Sequence, residues 1–433
     1  MKRALLLFIL VFTLALSHAQ IASGPMLGDI SLREAIIWMQ TENAQEVAIS
    51  YRLEGSEDFF SRTPFKKSKL DEAFTLKFQL FDLNWGSRYE YFIELSEGGM
   101  YGPYTFKTQD NWRYRTSAPD FTLMTGSCNF INEEAFDRPG KPYGTSPDIF
   151  KTMANQKPDL MLWLGDNIYL RSPDFGSPQS IYRRYTHMRR VPEIKEFLSV
   201  CPHYAIWDDH DFGPNDSNGS YIHKDWTSKA FELFWANPSF GLPDVDGGIT
   251  TQFQYSDIDF FLLDNRYFRT DHTVKQKDQS IWGEEQVNWL IEALKFSSAP
   301  FKIVATGGQF LSNYAMYENH ALYDQERKYL LKRLKEENIR GVIFLSGDRH
   351  HTELSKMELG KDNVVYDLTA SPLTSTAYDH TSEPNKYRVE GTVVGTQNYA
   401  CLSFEGPKDA RVCIMRVYDR EGLLLWEKRI EAW

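Results

Sequence analysis

Cysteine is scarce in this chain: four among 433 residues, at Cys128, Cys201, Cys401 and Cys413. That count excludes a disulfide-stapled scaffold at this length, so stability must come from a packed interior. Cys401 and Cys413 lie in two apolar, strand-like runs near the C-terminus and are candidates for one pair. Long apolar runs are equally scarce. Beyond residue 20 none approaches the roughly 20 residues that span a bilayer. Positive charge is in deficit, with 48 Lys and Arg against 59 Asp and Glu and a net charge of −11. An acidic surface excludes nucleic-acid binding through general electrostatics, and without a basic amphipathic helix it makes membrane-surface docking weak. Low-complexity tracts and internal repeats are also missing.

What is abundant is aromatic surface, 15% of the residues, including 11 Trp and 23 Tyr. Side chains of that size fill a substantial core and exclude disorder. The length implies two domains. At the start, Lys2 and Arg3 precede an almost wholly apolar stretch, residues 4–16, and Ser17-His18-Ala19 ahead of Gln20 has the small-x-small form of a cleavage site. A signal peptide over residues 1–19 and a secreted or periplasmic protein are expected. Loss of Lys2 and Arg3 with that leader takes the net charge from −11 to −13. No Cys follows the cleavage point, so a lipid anchor is not implied.

Residues 22–112 read as all-β. Phe74-Thr-Leu-Lys-Phe-Gln-Leu80 alternates apolar and polar, the period of a half-buried strand. Residues 35–39, 47–52, 89–95 and 104–108 add short strands separated by turn residues, which suggests a small fibronectin- or immunoglobulin-like sandwich. A linker covers 110–119. From 120 to 433 strands alternate with helices: one starting at Thr145 or Ser146, one over Glu284–Phe296, one over 324–337. The expected fold is α/β, sheets flanked by helices, with β-like runs returning in the last fifty residues.

Five apolar runs end in knots of polar residues: Gly126-Ser-Cys-Asn129, Gly165-Asp-Asn-Ile-Tyr169, Asp208-Asp-His-Asp211, Gly307-Gly-Gln309 and Gly347-Asp-Arg-His-His351. Sites in α/β folds gather at the carboxyl ends of strands. Each knot alone reads as a turn, a cap or a charged surface; five together suggest one pocket. Carboxylate, imidazole, thiolate and phenolate groups brought together suit metal cations, and clustered carboxylates repel without them. Cations would also create the positive patch that a phosphate ester needs on an acidic protein.

Gly126-Ser-Cys128, Gly165-Asp-Asn-Ile-Tyr169, Trp207-Asp-Asp-His-Asp211 with Asn215-Asp216, and Gly347-Asp-Arg-His-His351 make the chain resemble the alkaline phosphatase D (PhoD-like) family of calcineurin-like metallophosphoesterases. The resemblance covers essentially the whole chain after the leader and implies a fold of mixed sheets between helices. It implies that Asp166 bridges two metals, that Cys128, Tyr169 and His350 bind the first, and that Asp209 and Asp348 bind the second, with Asp208 an alternative to Asp209. The Asp-x-His opening common among phosphoesterases is replaced by Gly126-Ser-Cys128. Thiolate and phenolate favour ferric iron, and Asp-rich positions favour calcium. His210 would serve as general acid or phosphoryl donor; Arg266 and Arg171 are candidate phosphate clamps, and Gln309 is the weakest member. The expected activity is hydrolysis of phosphate monoesters or diesters, small or polymeric, by metal-activated hydroxide in a monomer, with residues 172–179 and 217–248 as candidate covers of the pocket. A phospholipid-directed phosphodiesterase and a non-catalytic binding protein on the same fold are the alternatives.

Overall fold

The computed structural model describes residues 20–432 apart from residue 59 and residues 276–278; the expected leader, residues 1–19, lies outside the described residues. The N-terminal strands are β1 (Ile21–Ile30), β2 (Ala35–Thr41), β3 (Glu46–Leu53), the two-residue β4 (Ser61–Arg62) and β5 (Lys66–Lys67), β6 (Thr75–Leu80), β7 (Arg88–Leu95) and β8 (Met100–Lys107). They form two antiparallel sheets, β1-β2-β6 and β4-β3-β7-β8, with β5 also pairing on β3. In β7 the residues Tyr89, Tyr91, Ile93 and Leu95 are buried while those between are less so, the two-residue period of a strand with one face inward. They pack with Ile49 of the neighbouring β3 and with Ile37 and Phe78 from the facing sheet.

This sandwich is seated on the larger unit formed by the rest of the chain. Met26 and Trp38 are buried within the interior of that unit. Trp38 Nε1 donates to Leu233 O at 2.7 Å, the N–H groups of Leu27 and Asp29 donate to Leu198 O and Ala236 O, and the Arg189 guanidinium lies over both Trp38 and Trp235.

The larger unit runs β9 (Phe121–Gly126), α1 (Ile149–Asn155), β10 (Leu160–Leu164), α2 (Pro178–Arg189), α3 (Pro192–Phe197), β11 (His203–Ile206), α4 (Asp209–Phe212), α5 (Lys224–Phe234), β12 (Thr251–Tyr255), β13 (Ile258–Leu262), α6 (Glu284–Phe296), β14 (Lys302–Ala305), α7 (Asp324–Glu336), β15 (Val342–Ser346), β16 (Glu353–Gly360), β17 (Asn363–Thr369), β18 (Asn398–Glu405), β19 (Val412–Asp419) and β20 (Leu424–Glu431). Its strands make two six-stranded mixed sheets, β11-β10-β9-β18-β19-β20 and β12-β13-β14-β15-β17-β16. The left half of the first is parallel, as are β13, β14, β15 and β17 in the second.

The sheets face each other, and the alternation along the buried strands shows how. Ile303, Ala305, Ile343 and Leu345 join the core shared with the first sheet. Val304, Val342 and Phe344 point the other way, under Leu290 and Leu294 of α6 and Leu330 and Leu334 of α7. On the outer face of the first sheet, Trp163 packs on Phe150 of α1, Phe197 of α3 and Trp235. The result is a helix–sheet–sheet–helix sandwich, the mixed sheets flanked by helices that were expected.

Three sequence expectations change. The helix expected from residue 145 or 146 begins at Ile149, because the chain before it pairs elsewhere: Gly144 bridges Ser375 and Thr145 N–H donates to Thr374 O at 2.7 Å. The tract 217–248 contains α5, whose Phe231 packs on Trp207 in the interior, so this part is wall rather than cover. Cys401 and Cys413 are free, and so are Cys128 and Cys201. On the β18–β19 ladder Cys401 pairs with Arg416 and Cys413 with Phe404. Three positions of offset put the two sulfurs on opposite faces, about 10 Å apart along the strand, which no disulfide spans.

Candidate metal centre

The carboxyl ends of β9, β10, β11, β14 and β15 lie on one edge of the facing sheets, and the polar knots that follow them meet there. Cys128 Sγ is 3.5 Å from Asp166 Oδ2. Tyr169 Oη donates to Asp166 Oδ2 at 3.1 Å and lies 3.1 Å from His350 Nε2. Ligand atoms of Cys128, Asp166 and His350 lie within 4.8 Å of one another; so do those of Asp166, Asp209 and His210, of Asp208, Asp209 and Asp348, and of Asp209, Asp216 and Glu318. Asp166 and Asp209 link these groups into one cluster.

The backbone is bent to achieve this. Cys128, Asp166, Asp348 and His350 have φ of 60°, 50°, 65° and 54°. Such left-handed conformations in non-glycine residues cost of order 1–3 kcal/mol each and concentrate at functional sites. Glycines beside them admit the close approach. A Cβ on Gly165 would stand 2.7 Å from Asp208 Cβ, and one on Gly347 2.7 Å from Leu164 O.

Donor chemistry and orientation fit cations. A carbonyl can only accept, so His350 Nδ1 donates to Thr376 O at 2.7 Å and the Nε2 lone pair faces Cys128, Asp166 and Tyr169. The Ser371 hydroxyl donates to Cys128 Sγ at 3.2 Å, a contact that suits a thiolate, while Ser127 Oγ lies 3.4 Å from the sulfur and donates to Ala370 O at 2.9 Å. Asp208 Oδ2 and Asp209 Oδ1 are buried carboxylate oxygens without a hydrogen bond. Buried polar atoms are nearly always partnered, so these two point to a ligand.

Electrostatics say the same. Burial, then Asp209, Asp208, Asp211 and Asp348, pushes the Asp166 carboxyl well above the usual range. Burial with Asp208 and Asp209 does so for Asp348. Burial and Asp166 push up the Cys128 thiol and the Tyr169 phenol. Asp209 moves the other way: burial opposes its ionisation, but His210, Arg266 and the Asp216 N–H outweigh it. A bare cluster therefore retains protons that a cation would displace.

Arg266 is buried beside this cluster. Its guanidinium grips Asp208, lies 3.7 Å from Asp209 Oδ1 and pairs with Glu318 at 3.0 Å. His210 rests its ring on that of Tyr169, centroids 4.2 Å apart, with Nε2 4.0 Å from Asp209 Oδ2 and the side chain 23% exposed. Two cavities, of about 730 and 520 Å³, lie elsewhere, at the seam with the sandwich and at the C-terminal ends of α6 and α7; the charged cluster, with its strained ligand positions, is the better functional candidate.

A family model described as PhoD-like phosphatase matches residues 140–406. The chain belongs to the PhoD-like phosphatase family. Alkaline phosphatase D of Bacillus subtilis (strain 168) is 22% identical over 281 residues, 54% of this chain; the match spans about half, 47%, of that relative's length. The solved structure of PhoD superposes with a TM-score of 0.76 at 16% identity, covering 96% of this chain and 93% of that one. The purple acid phosphatase PPD1 from yellow lupin (Lupinus luteus) seeds gives a TM-score of 0.67 at 11% identity over 94% and 74% of the two chains. These two likenesses describe the fold.

Within this PhoD-like centre two expected residues are engaged elsewhere. The Arg171 guanidinium meets Asp137, Tyr169 O and Ile131 O and stacks on Phe130. Gln309 donates to Glu353 and Thr369 and accepts from Arg349. Glu318, Asn265, Ser371 and Ser375 are residues that the sequence reading passed over. Asn265 donates to Asp208 at 2.7 Å, and Ser375 Oγ lies 3.4 Å from His350 Nε2. The small polar run Ser371-Pro-Leu-Thr-Ser375 directly after the apolar β17 was the available signal. Glu318 carried none.

Proposed function

We propose that this PhoD-like chain is a metal-dependent phosphoester hydrolase acting on monoesters, diesters or both. The observation that carries the reading is the pair of orphaned, buried oxygens on Asp208 and Asp209 inside a cluster that also holds thiol, phenol and imidazole donors. Cys128, Tyr169, His350 and Asp166 would hold a ferric ion, and Asp166, Asp209 and Asp348 would hold calcium, by the preference of phenolate and thiolate for the first and of clustered carboxylates for the second. Bound cations supply positive field for the phosphoryl oxygens and make water acidic enough to ionise near neutrality.

The chain's own groups do the rest. Arg266, pinned by Asp208 and Glu318, keeps one fixed positive charge against the cluster and holds Asp209 ionised. His210 sits on the rim with Tyr169 fixing its ring plane and Asp209 facing Nε2, placed to hold a proton and deliver it to the leaving oxygen. The proposal leaves Arg171 out of substrate contact, since its guanidinium is fully engaged. Residues 1–19 are proposed as a cleaved leader of a secreted or periplasmic monomer, with units at 22–112 and 120–433.

Metal analysis of unsupplemented protein, alongside a chromogenic phosphoester assay with and without chelator, tests this. Iron and calcium with chelator-sensitive turnover are expected. Zinc alone would overturn the metal assignment, and undiminished turnover of metal-stripped protein would overturn the function.

A further inference from the structure

A run of exposed aromatic rings borders the centre on two sides. On the His350 side, Tyr143 Oη lies 3.3 Å from His350 Nδ1, and the Tyr378 ring lies parallel to the imidazole, 10° apart in plane with centroids 5.8 Å apart. On the Arg266 side stands Tyr317, next in the chain to Glu318, which grips Arg266 and Arg269. His380 joins the two sides, its ring 6.1 Å from that of Tyr378 and 6.4 Å from that of Tyr317. Tyr143, Tyr378 and Tyr317 are 37%, 46% and 55% exposed.

Single exposed aromatics need no explanation, but this set is contiguous, held in place and at the mouth of the centre. Tyr317 takes a left-handed backbone, φ 51°, and is backed by the Arg349 guanidinium 4.6 Å from its centroid. The Arg349 fork is itself fixed by Glu383 at 2.7 Å. Tyr378 N–H donates to His350 O at 3.0 Å. Rigid rings with open faces bind planar partners by stacking. The group that must lie beside them is the one esterified to a phosphorus at the centre. Resting on the phosphoesterase reading above, we propose that Tyr378 and Tyr317 form a stacking subsite selecting phosphoesters whose ester group carries a planar ring, a nucleobase or an aryl group.

The test compares adenosine 5′-monophosphate with ribose 5-phosphate, which share the reacting alcohol and differ only in the base, together with the methyl esters of both to cover diester chemistry. With the metal-loaded, full-length protein, kcat/KM should favour the base-bearing partner by about tenfold, the size of one base–aromatic stack, mostly through KM. That ratio should collapse toward one in Tyr378→Ala and Tyr317→Ala and persist in Tyr378→Phe. Equal kcat/KM for the two partners in the wild type, or a preference untouched in both alanine variants, would overturn the subsite and leave the hydrolase standing. No turnover of any of the four by protein that still cleaves a chromogenic phosphoester would overturn the subsite alone; loss of that cleavage as well would overturn both. Binding to phosphatidylcholine vesicles that Tyr378→Ala abolishes, with no preference for the base, would reassign the rim to a lipid surface and overturn the proposal.

Discussion

Stripping cations from the centre should make the fold weaken as pH rises. Asp208, Asp209 and Asp348 present oxygens within 4.8 Å of one another. At an effective dielectric constant near 20, two unit charges at that distance repel by about 3.5 kcal/mol. Arg266, 3.7 Å from Asp209 and gripping Asp208, offsets part of this. Any one such pair that Arg266 leaves uncompensated is a large share of the 5–15 kcal/mol typical of whole-fold stability. Asp166 and Asp348 sit well above the ordinary carboxylate value when folded, so the folded, metal-free chain binds more protons than the unfolded one. Their contribution is intact below about pH 4 and is lost as pH climbs from the unfolded value through the folded one. Asp216, pushed up to about 6 by burial, Glu318 and Asp209, adds in the same direction. Asp209, displaced downward, stays ionised throughout and adds no slope. Cations remove the penalty. Thermal unfolding of metal-loaded and chelated protein between pH 5.5 and 8.5 should show a gap in Tm that widens with pH, by about 4 °C for one such pair at roughly 2 cal/mol/K of unfolding entropy per residue. A constant gap, or one that narrows, would refute the reasoning.

Replacing Asp166 with Ala should abolish metal loading and lower kcat by about 10⁴-fold or more, read by elemental analysis and an ester assay on the same sample; full activity refutes the bridging role. His210→Asn should keep its metals and lose about 10²–10⁴ in kcat on alkyl esters, with much of the loss recovered on a nitrophenyl ester whose leaving group needs no proton. Gly165→Ala meets Asp208 at 2.7 Å from a left-handed backbone, so it should impair metal uptake while far-ultraviolet circular dichroism stays near wild type. Trp163→Ala, under Phe150, Phe197 and Trp235, should lower stability by about 3–5 kcal/mol in denaturant unfolding without displacing the metal ligands.

The strand ends of the centre were legible because each couples a buried, mostly apolar run to a polar knot, Gly-led in four of the five, as in β10 followed by Gly165-Asp166. The helix α6 was legible from its periodic apolar residues, and α7 as a heavily charged stretch. Other features depend on tertiary partners. β1 contains Ser23, Gly24, Pro25 and Gly28 and has no clean alternation; it is a strand because it is buried almost throughout, against the larger unit as well as β2. α2 is rich in Arg and Tyr, and its buried Arg184 is neutralised by Asp174 and Glu133 from other segments. The Arg pair could not be sorted by sequence. Arg171 and Arg266 both follow strand-end knots, yet only Arg266 meets carboxylates of the cluster. Glu318 reaches that cluster from the far end of the loop after β14, where no neighbouring glycine or proline marks its left-handed turn.

The N-terminal sandwich is not a bead on a string. With Met26 and Trp38 embedded in its neighbour and Trp38 capping Leu233, a fragment begun near residue 120 would expose a raw apolar wound beneath the helices that back the centre. The two units should melt as one block, with a single calorimetric peak, and trimming this protein toward a smaller catalyst would have to leave the sandwich strands, residues 21–107, in place.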